Sequence, residues 1–235
     1  SIMQSPSNNI MNKLARSILS LYSYSDVTEN TTIEDEMSIA LDLIAKMPIL
    51  MDGAYQAKRH KYDNASLIMH PLRPEENTAE SILSLIRNDR SYTKAEAQLL
   101  DTLLALHADH GGGNNSTFAC RVATSSGTDP FAAYTSAINS LKGPRHGGAN
   151  IKVIQMLDDI KAHVAHWENE GEVADYLTKI LRKEANDGSG LIYGMGHAVY
   201  TLSDPRAVIL KRKAMALAAG KEIEREFKLL DTVEK

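Results

Sequence analysis

Three histidine clusters set among glycines carry the residue types for chemistry: His107-Ala-Asp-His110-Gly-Gly-Gly, Gly143-Pro-Arg-His146-Gly-Gly-Ala-Asn150 and Gly194-Met-Gly-His197-Ala-Val-Tyr, the last followed by Asp204-Pro-Arg206. Imidazole takes up and releases a proton near neutrality, and a neighbouring glycine removes the Cβ that would hold backbone and ligand apart. Their recurrence in distant stretches points to one active site assembled from loops.

Each cluster has two readings. His107 and His110 share one side of a helix end, and Gly111 to Asn114 make a turn beyond it; the plainer reading is a helix C-cap with two hydrogen-bonded histidines. Their spacing lacks the His-Glu-x-x-His pattern and no cysteine pair supplements it, so no metal is assigned. His146 precedes Gly147-Gly148 and a helical stretch. The partial positive charge of a helix start disfavours imidazolium, leaving a neutral histidine that can donate to a carbonyl turning into an enolate; the alternative is a histidine that caps a loop. Arg145 is expected to face solvent. Gly194 and Gly196 let backbone lie against a planar or extended ligand, and His197 with Arg206 suits a small dicarboxylate, because the guanidinium fork holds a carboxylate bidentately while the imidazole donates to another oxygen. Otherwise Arg206 is a surface residue complementing its own helix. His60, His70, His163 and His166 lack such surroundings and are read as surface or packing residues, with Trp167 as a core or interface anchor.

The elements that must position these clusters read as helices. Ile33, Met37, Leu41 and Ile44 recur at helical spacing, and Pro48 is expected to end or bend that element before a second amphipathic stretch through Arg59. Residues 77 to 88 form another, and Thr93 with Glu96 is a capping box opening a helix that delivers His107 and His110. Asp129-Pro130 and Asp204-Pro205 are helix starts and Gly143 a stop. Further helices fit 148 to 167, 171 to 185 and 221 to 230; 60 to 76 and 186 to 190 read as loops and the first nine residues as a frayed end. No alternating β-branched run requires a sheet. The expected fold is all-α, with a handover between helical groups at the Gly143–Asn150 turn.

Composition excludes several classes. The 235 residues, 43% hydrophobic, can bury a substantial core; a net charge of -4 gives no basic field for nucleic acid, and no apolar run reaches the roughly 20 residues of a membrane span. The single Cys120 excludes an intramolecular disulfide framework, and a cytoplasmic location is expected.

In order, these motifs resemble citrate synthase: His-Ala-Asp-His with Gly-Gly-Asn and Ser-Thr-Phe, then Thr-Asp-Pro, then Gly-Pro-x-His-Gly-x-Ala-Asn, then Gly-x-Gly-His-x-Val-Tyr and Asp-Pro-Arg. The resemblance is dense over 99 to 210 and looser over Ile39 to Tyr55. It implies an acyltransferase of the tricarboxylic acid cycle that condenses acetyl-CoA with oxaloacetate and water to citrate and CoA. By it, His146 polarises the thioester carbonyl and stabilises the enol or enolate, and His197 protonates the keto oxygen of oxaloacetate. His110 and Arg206 bind oxaloacetate, while Leu191, Ile192, Gly194, Met195 and Gly196 line the coenzyme A path. No cofactor is implied, acetyl-CoA being a substrate. Residues 1–147 would be part of a large helical domain and 148–235 part of a small one, incomplete at both ends, in a family of homodimers.

The chain departs from the family pattern at Gly111, where glutamate is common, and at Met195, where an aromatic is usual. The segment that supplies the family's carboxylate base is not in the sequence, so a truncated, inactive chain is expected. The runner-up is 2-methylcitrate synthase, which takes propionyl-CoA; one methylene discriminates weakly. A His/Asp metallophosphohydrolase would need an adjacent His-Asp pair, and Asp109-His110 is reversed. A helical interaction module without catalysis is the third reading.

Overall fold

Side-chain caps fix where the helices begin. In a computed structural model, which describes residues 4–26, 31–108, 113–195 and 203–235, ten α-helices follow one another and no strand occurs among the described residues. The all-α expectation holds. The expected box at Thr93 is formed: its N–H donates to Glu96 Oε2 at 2.7 Å, and Glu96 N–H returns to Thr93 Oγ1 at 3.2 Å, opening α4 (Lys94–Ala108). Asp129 and Asp204 each accept from a first-turn amide, and proline follows in α6 (Pro130–Leu141) and α9 (Pro205–Ala218).

The chain divides into two compact units, Ser1–His146 and Gly147–Lys235. In the first, α1 (Ile10–Ser20) packs on α2 (Ile33–Tyr62) and α6, α3 (Thr78–Ile86) lies against α2 and α4, and α5 (Asn115–Thr124) against α6. Its core gathers Leu14, Ile18, Ile39, Leu43, Leu50 and Phe131. In the second unit, α8 (Glu170–Leu181) lies against α7 (Ala149–His163) and α10 (Glu224–Glu234), which also meets α9. Met156, Ile160, Val173, Tyr176, Ile180 and Leu229 form its core.

Two expectations about α2 are corrected. The helix runs unbroken through Pro48, which is buried; the ring removes one bond, to the carbonyl of Ile44, and the remaining bonds and tertiary packing carry the helix on. Its ends favour length, with Glu34, Asp35 and Glu36 at the start and Arg59, His60 and Lys61 at the finish, each complementing the helix dipole. The apolar stripe does not face the core: Ile33, Met37, Leu41 and Ile44 are 74%, 62%, 64% and 58% exposed, and Ile39 and Leu43 are buried instead. Helices α1 and α5 were not anticipated. Asn9 caps α1, accepting from Asn12 N–H at 2.9 Å, and Leu14, Ala15 and Ile18 make its buried side.

Candidate active site

His146 closes the first unit and is held from two directions. Gly143 N–H donates to Ser140 O at 3.1 Å and His146 N–H to Gly143 O at 3.0 Å, so the chain leaves α6 in a tight turn. A Cβ at Gly143 would sit 3.2 Å from the Ser140 carbonyl oxygen, closer than most such contacts. From the other side comes the start of α5. The Asn114 side chain accepts from the amides of Ser116 at 2.7 Å and Thr117 at 3.1 Å. Asn115 Nδ2 donates to Ser140 Oγ at 2.7 Å, tying the first turn of α5 to the end of α6. That staple sets Ser116 Oγ 2.8 Å from His146 Nε2.

This half-buried contact governs what the imidazole can do. A serine hydroxyl can donate to Nε2 or accept from it; in the first arrangement a ring proton on Nδ1 is left to point at an approaching carbonyl oxygen. No hydrogen bond to Nδ1 forms among the described residues. Ser116 is a functional candidate that the motif reading left without a role; the cue was Asn114 followed by Ser-Thr, an N-cap signature just past the glycines. Arg145 is exposed, as expected.

In the second unit, Arg206 opens α9 beside Asp204. The carboxylate caps the helix, accepting from Arg206 N–H at 2.8 Å, and holds the guanidinium from Nε at 3.0 Å and Nη2 at 2.6 Å. The side chain of Arg206 is thus oriented by its own N-cap residue and stays partly exposed. Further along lies the segment that leads to Gly196. Leu191 is exposed, Ile192, Tyr193 and Met195 pack against the core around Met156, and Gly194 is exposed with φ +79°.

His110, His197 and Gly196 lie outside the described residues. Among the described histidines, His107 donates from Nδ1 to the carbonyl of Leu103 at 2.8 Å within α4, and His70 Nε2 donates to the carbonyls of Arg87 and Asn88 at 3.2 and 3.1 Å. His163 stacks on Tyr176 and His166 pairs with Glu172. Trp167 packs on the second core, with the Arg225 guanidinium 4.8 Å from its ring centroid. No group of three metal-ligating side chains occurs among the described residues. An open cleft in the first unit, lined by Tyr22, Glu36, Cys120, Asp129 and Tyr134, contains none of the predicted site residues. Burial pushes the Cys120 thiol up, which disfavours the thiolate.

Known proteins resemble this chain in sequence and in fold. The chain is 34% identical over 208 residues to citrate synthase of Corynebacterium glutamicum, covering 87% of this chain and 44% of that protein. It is 35% identical over 201 residues to citrate synthase of Haloferax volcanii, covering 84% and 47%. The chain therefore spans about half the length of the curated relatives it matches. Among solved structures, citrate synthase of Thermoplasma acidophilum, in a ternary complex with carboxymethyl coenzyme A and oxaloacetate, matches with a TM-score of 0.75 at 23% identity, over 99% of this chain and 56% of that one. That of Thermotoga maritima matches with a TM-score of 0.72 at 24% identity, over 99% and 55%. Both show a shared fold. The family model for the citrate synthase C-terminal domain matches residues 1–235, and the chain belongs to the citrate synthase family.

Proposed function

We propose that the protein is an acyltransferase of the citrate synthase type, joining the methyl carbon of acetyl-CoA to the keto carbon of oxaloacetate. The observation that carries this reading is the Ser116–His146 contact of 2.8 Å, which gives the imidazole one orientation and leaves Nδ1 to a substrate oxygen. A thioester α-proton is too weakly acidic to be removed unless the developing enolate oxygen is stabilised, and a fixed neutral N–H donor supplies several kcal/mol of that. His146 is that donor in this reading. Arg206, oriented by Asp204, takes a carboxylate of oxaloacetate. Leu191 to Gly196 run along coenzyme A, with His110 and His197 at the oxaloacetate. Support comes from relatives named citrate synthase and from a structural neighbour whose complex contains a CoA derivative and oxaloacetate.

The enzyme works in this reading as a cytoplasmic homodimer of the tricarboxylic acid cycle. The exposed stripe Ile33, Met37, Leu41 and Ile44, with Phe118 and Val122 exposed on α5, is the apolar surface that a second copy would cover. No described helix is long and apolar enough to cross a membrane.

Calorimetric titration with oxaloacetate and with coenzyme A tests the reading, followed by thiol release with acetyl-CoA and propionyl-CoA. Binding of both ligands, with oxaloacetate affinity lost in Arg206→Ala, supports it. Failure to bind either coenzyme A or oxaloacetate overturns it, and faster release from propionyl-CoA would move the assignment to the methylcitrate reaction.

A further inference from the structure

The segment leading into Gly194 is fastened to α7 at three consecutive levels. Lys152 Nζ pairs with Asp187 Oδ2 at 2.9 Å, and the same carboxylate oxygen accepts from Tyr193 O–H at 2.7 Å. One turn along α7, Tyr193 N–H donates to the sulfur of Met156 at 3.3 Å, and Met156 is fully buried. Between them lies Gly194. Its φ of +79° excludes most side chains, and a Cβ there would lie 2.7 Å from Val153 Cγ2, a branched side chain with little freedom to withdraw. Ser189 closes the arrangement, its hydroxyl accepting from Leu191 N–H at 3.2 Å and lying 3.1 Å from the Tyr193 hydroxyl oxygen. Gly194 apart, none of these residues belongs to the motifs that carry the family resemblance.

We propose that Lys152, Asp187 and Tyr193 are positioning residues, a latch that holds the 191–194 backbone against α7 in the one conformation that receives coenzyme A. This rests on the proposed function, which assigns coenzyme A to that segment. The latch acts through the backbone it fixes: the exposed backbone at Leu191 and Gly194 can meet an extended ligand because the side chains of Ile192 and Tyr193 are committed inward. The Asp187 carboxyl is held far below the ordinary range by the Ser189 hydroxyl, Lys152 and Tyr193, so the ion pair persists across the working pH range.

Titration of the whole chain with coenzyme A and with oxaloacetate tests the latch in Tyr193→Phe, Asp187→Asn, Lys152→Met and Lys152→Arg, with Lys161→Gln as a control on the same helix. The first three should weaken coenzyme A about tenfold, the equivalent of one hydrogen bond, and leave oxaloacetate affinity unchanged. Lys152→Arg should restore most of the loss, and the unchanged oxaloacetate affinity separates this from a general loss of stability. If the wild-type chain binds no coenzyme A, the proposed function fails and the latch with it. If it binds coenzyme A and the three variants bind it equally well, the latch alone is overturned. Weakening in Lys152→Met alone would mean direct contact between that ammonium and the ligand, which also overturns the latch.

Discussion

Ser116 and His146, separated by thirty residues, meet at 2.8 Å because α5 and α6 are stapled to each other at Asn115 and Ser140. In the proposed function the serine donates to Nε2 and so holds one imidazole tautomer. Ser116→Ala should release that choice, so that ¹⁵N NMR of the His146 ring reports two tautomers in exchange where the parent shows one. Any turnover should fall about tenfold, the worth of one hydrogen bond. A single unchanged tautomer in the variant would remove Ser116 from the site.

The sharpest conflict in the first unit is buried on α2. Asp52 and Gln56, one turn apart, are each almost wholly enclosed, and Asp52 Oδ1 and Gln56 Oε1 have no hydrogen-bond partner. Two acceptors without a donor are costly, and Asp52→Asn supplies one. The substitution should stabilise the fold by about 1 kcal/mol and raise the melting temperature by a few degrees.

That change should also alter the dependence on pH. Burial raises the Asp52 carboxyl above its ordinary value, so the folded chain holds this proton more tightly than the unfolded one. Stability due to this group is present in acid and declines as pH climbs from about 4 through the raised value. Urea melts between pH 4 and 8 should show that decline in the parent and a flatter profile in Asp52→Asn; identical profiles would contradict the assignment.

Glu96 works in the opposite sense. Hydrogen bonds from Arg87 and from Thr93 lower its carboxyl from the ordinary 4.5 to about 2. Its contribution is therefore present above about 4.5 and lost as pH falls toward 2. Glu96→Gln should cost about 1 kcal/mol at neutral pH and nothing further in acid, which circular dichroism during acid titration can follow.

The exposed stripe on α2 gives a test of assembly. Met37→Lys with Leu41→Lys leaves the buried side of the helix untouched, since both positions are more than half exposed. Light scattering should show a lower mass for this variant if a second copy covers the stripe, with helicity retained. An unchanged dimer would place the interface elsewhere.

Helix starts were legible in the sequence because a cap is a local event: Thr93 and Glu96, Asp129 and Asp204 each act within a single turn. The family was legible because its motifs lie in short ordered runs. Which side of α2 is enclosed was not, since period alone cannot tell a stripe that faces a core from one that faces outward, and Ile39 and Leu43 supply the core in place of the stronger-looking stripe. The partners of His146 and Tyr193 were hidden for a related reason. Ser116 and Met156 are ordinary residues, and distance in sequence conceals what tertiary packing brings within reach.

The proline in α2 separates two stretches with different access to water. Before it, only Ile39 and Leu43 are buried; after it, Leu50, Asp52, Gly53, Ala54, Gln56 and Ala57 all are. The missing amide at position 48 breaks the cooperative ladder at that border. In deuterium the leading half should therefore label within local fraying, while amides beyond Leu50 wait for the opening of the whole unit.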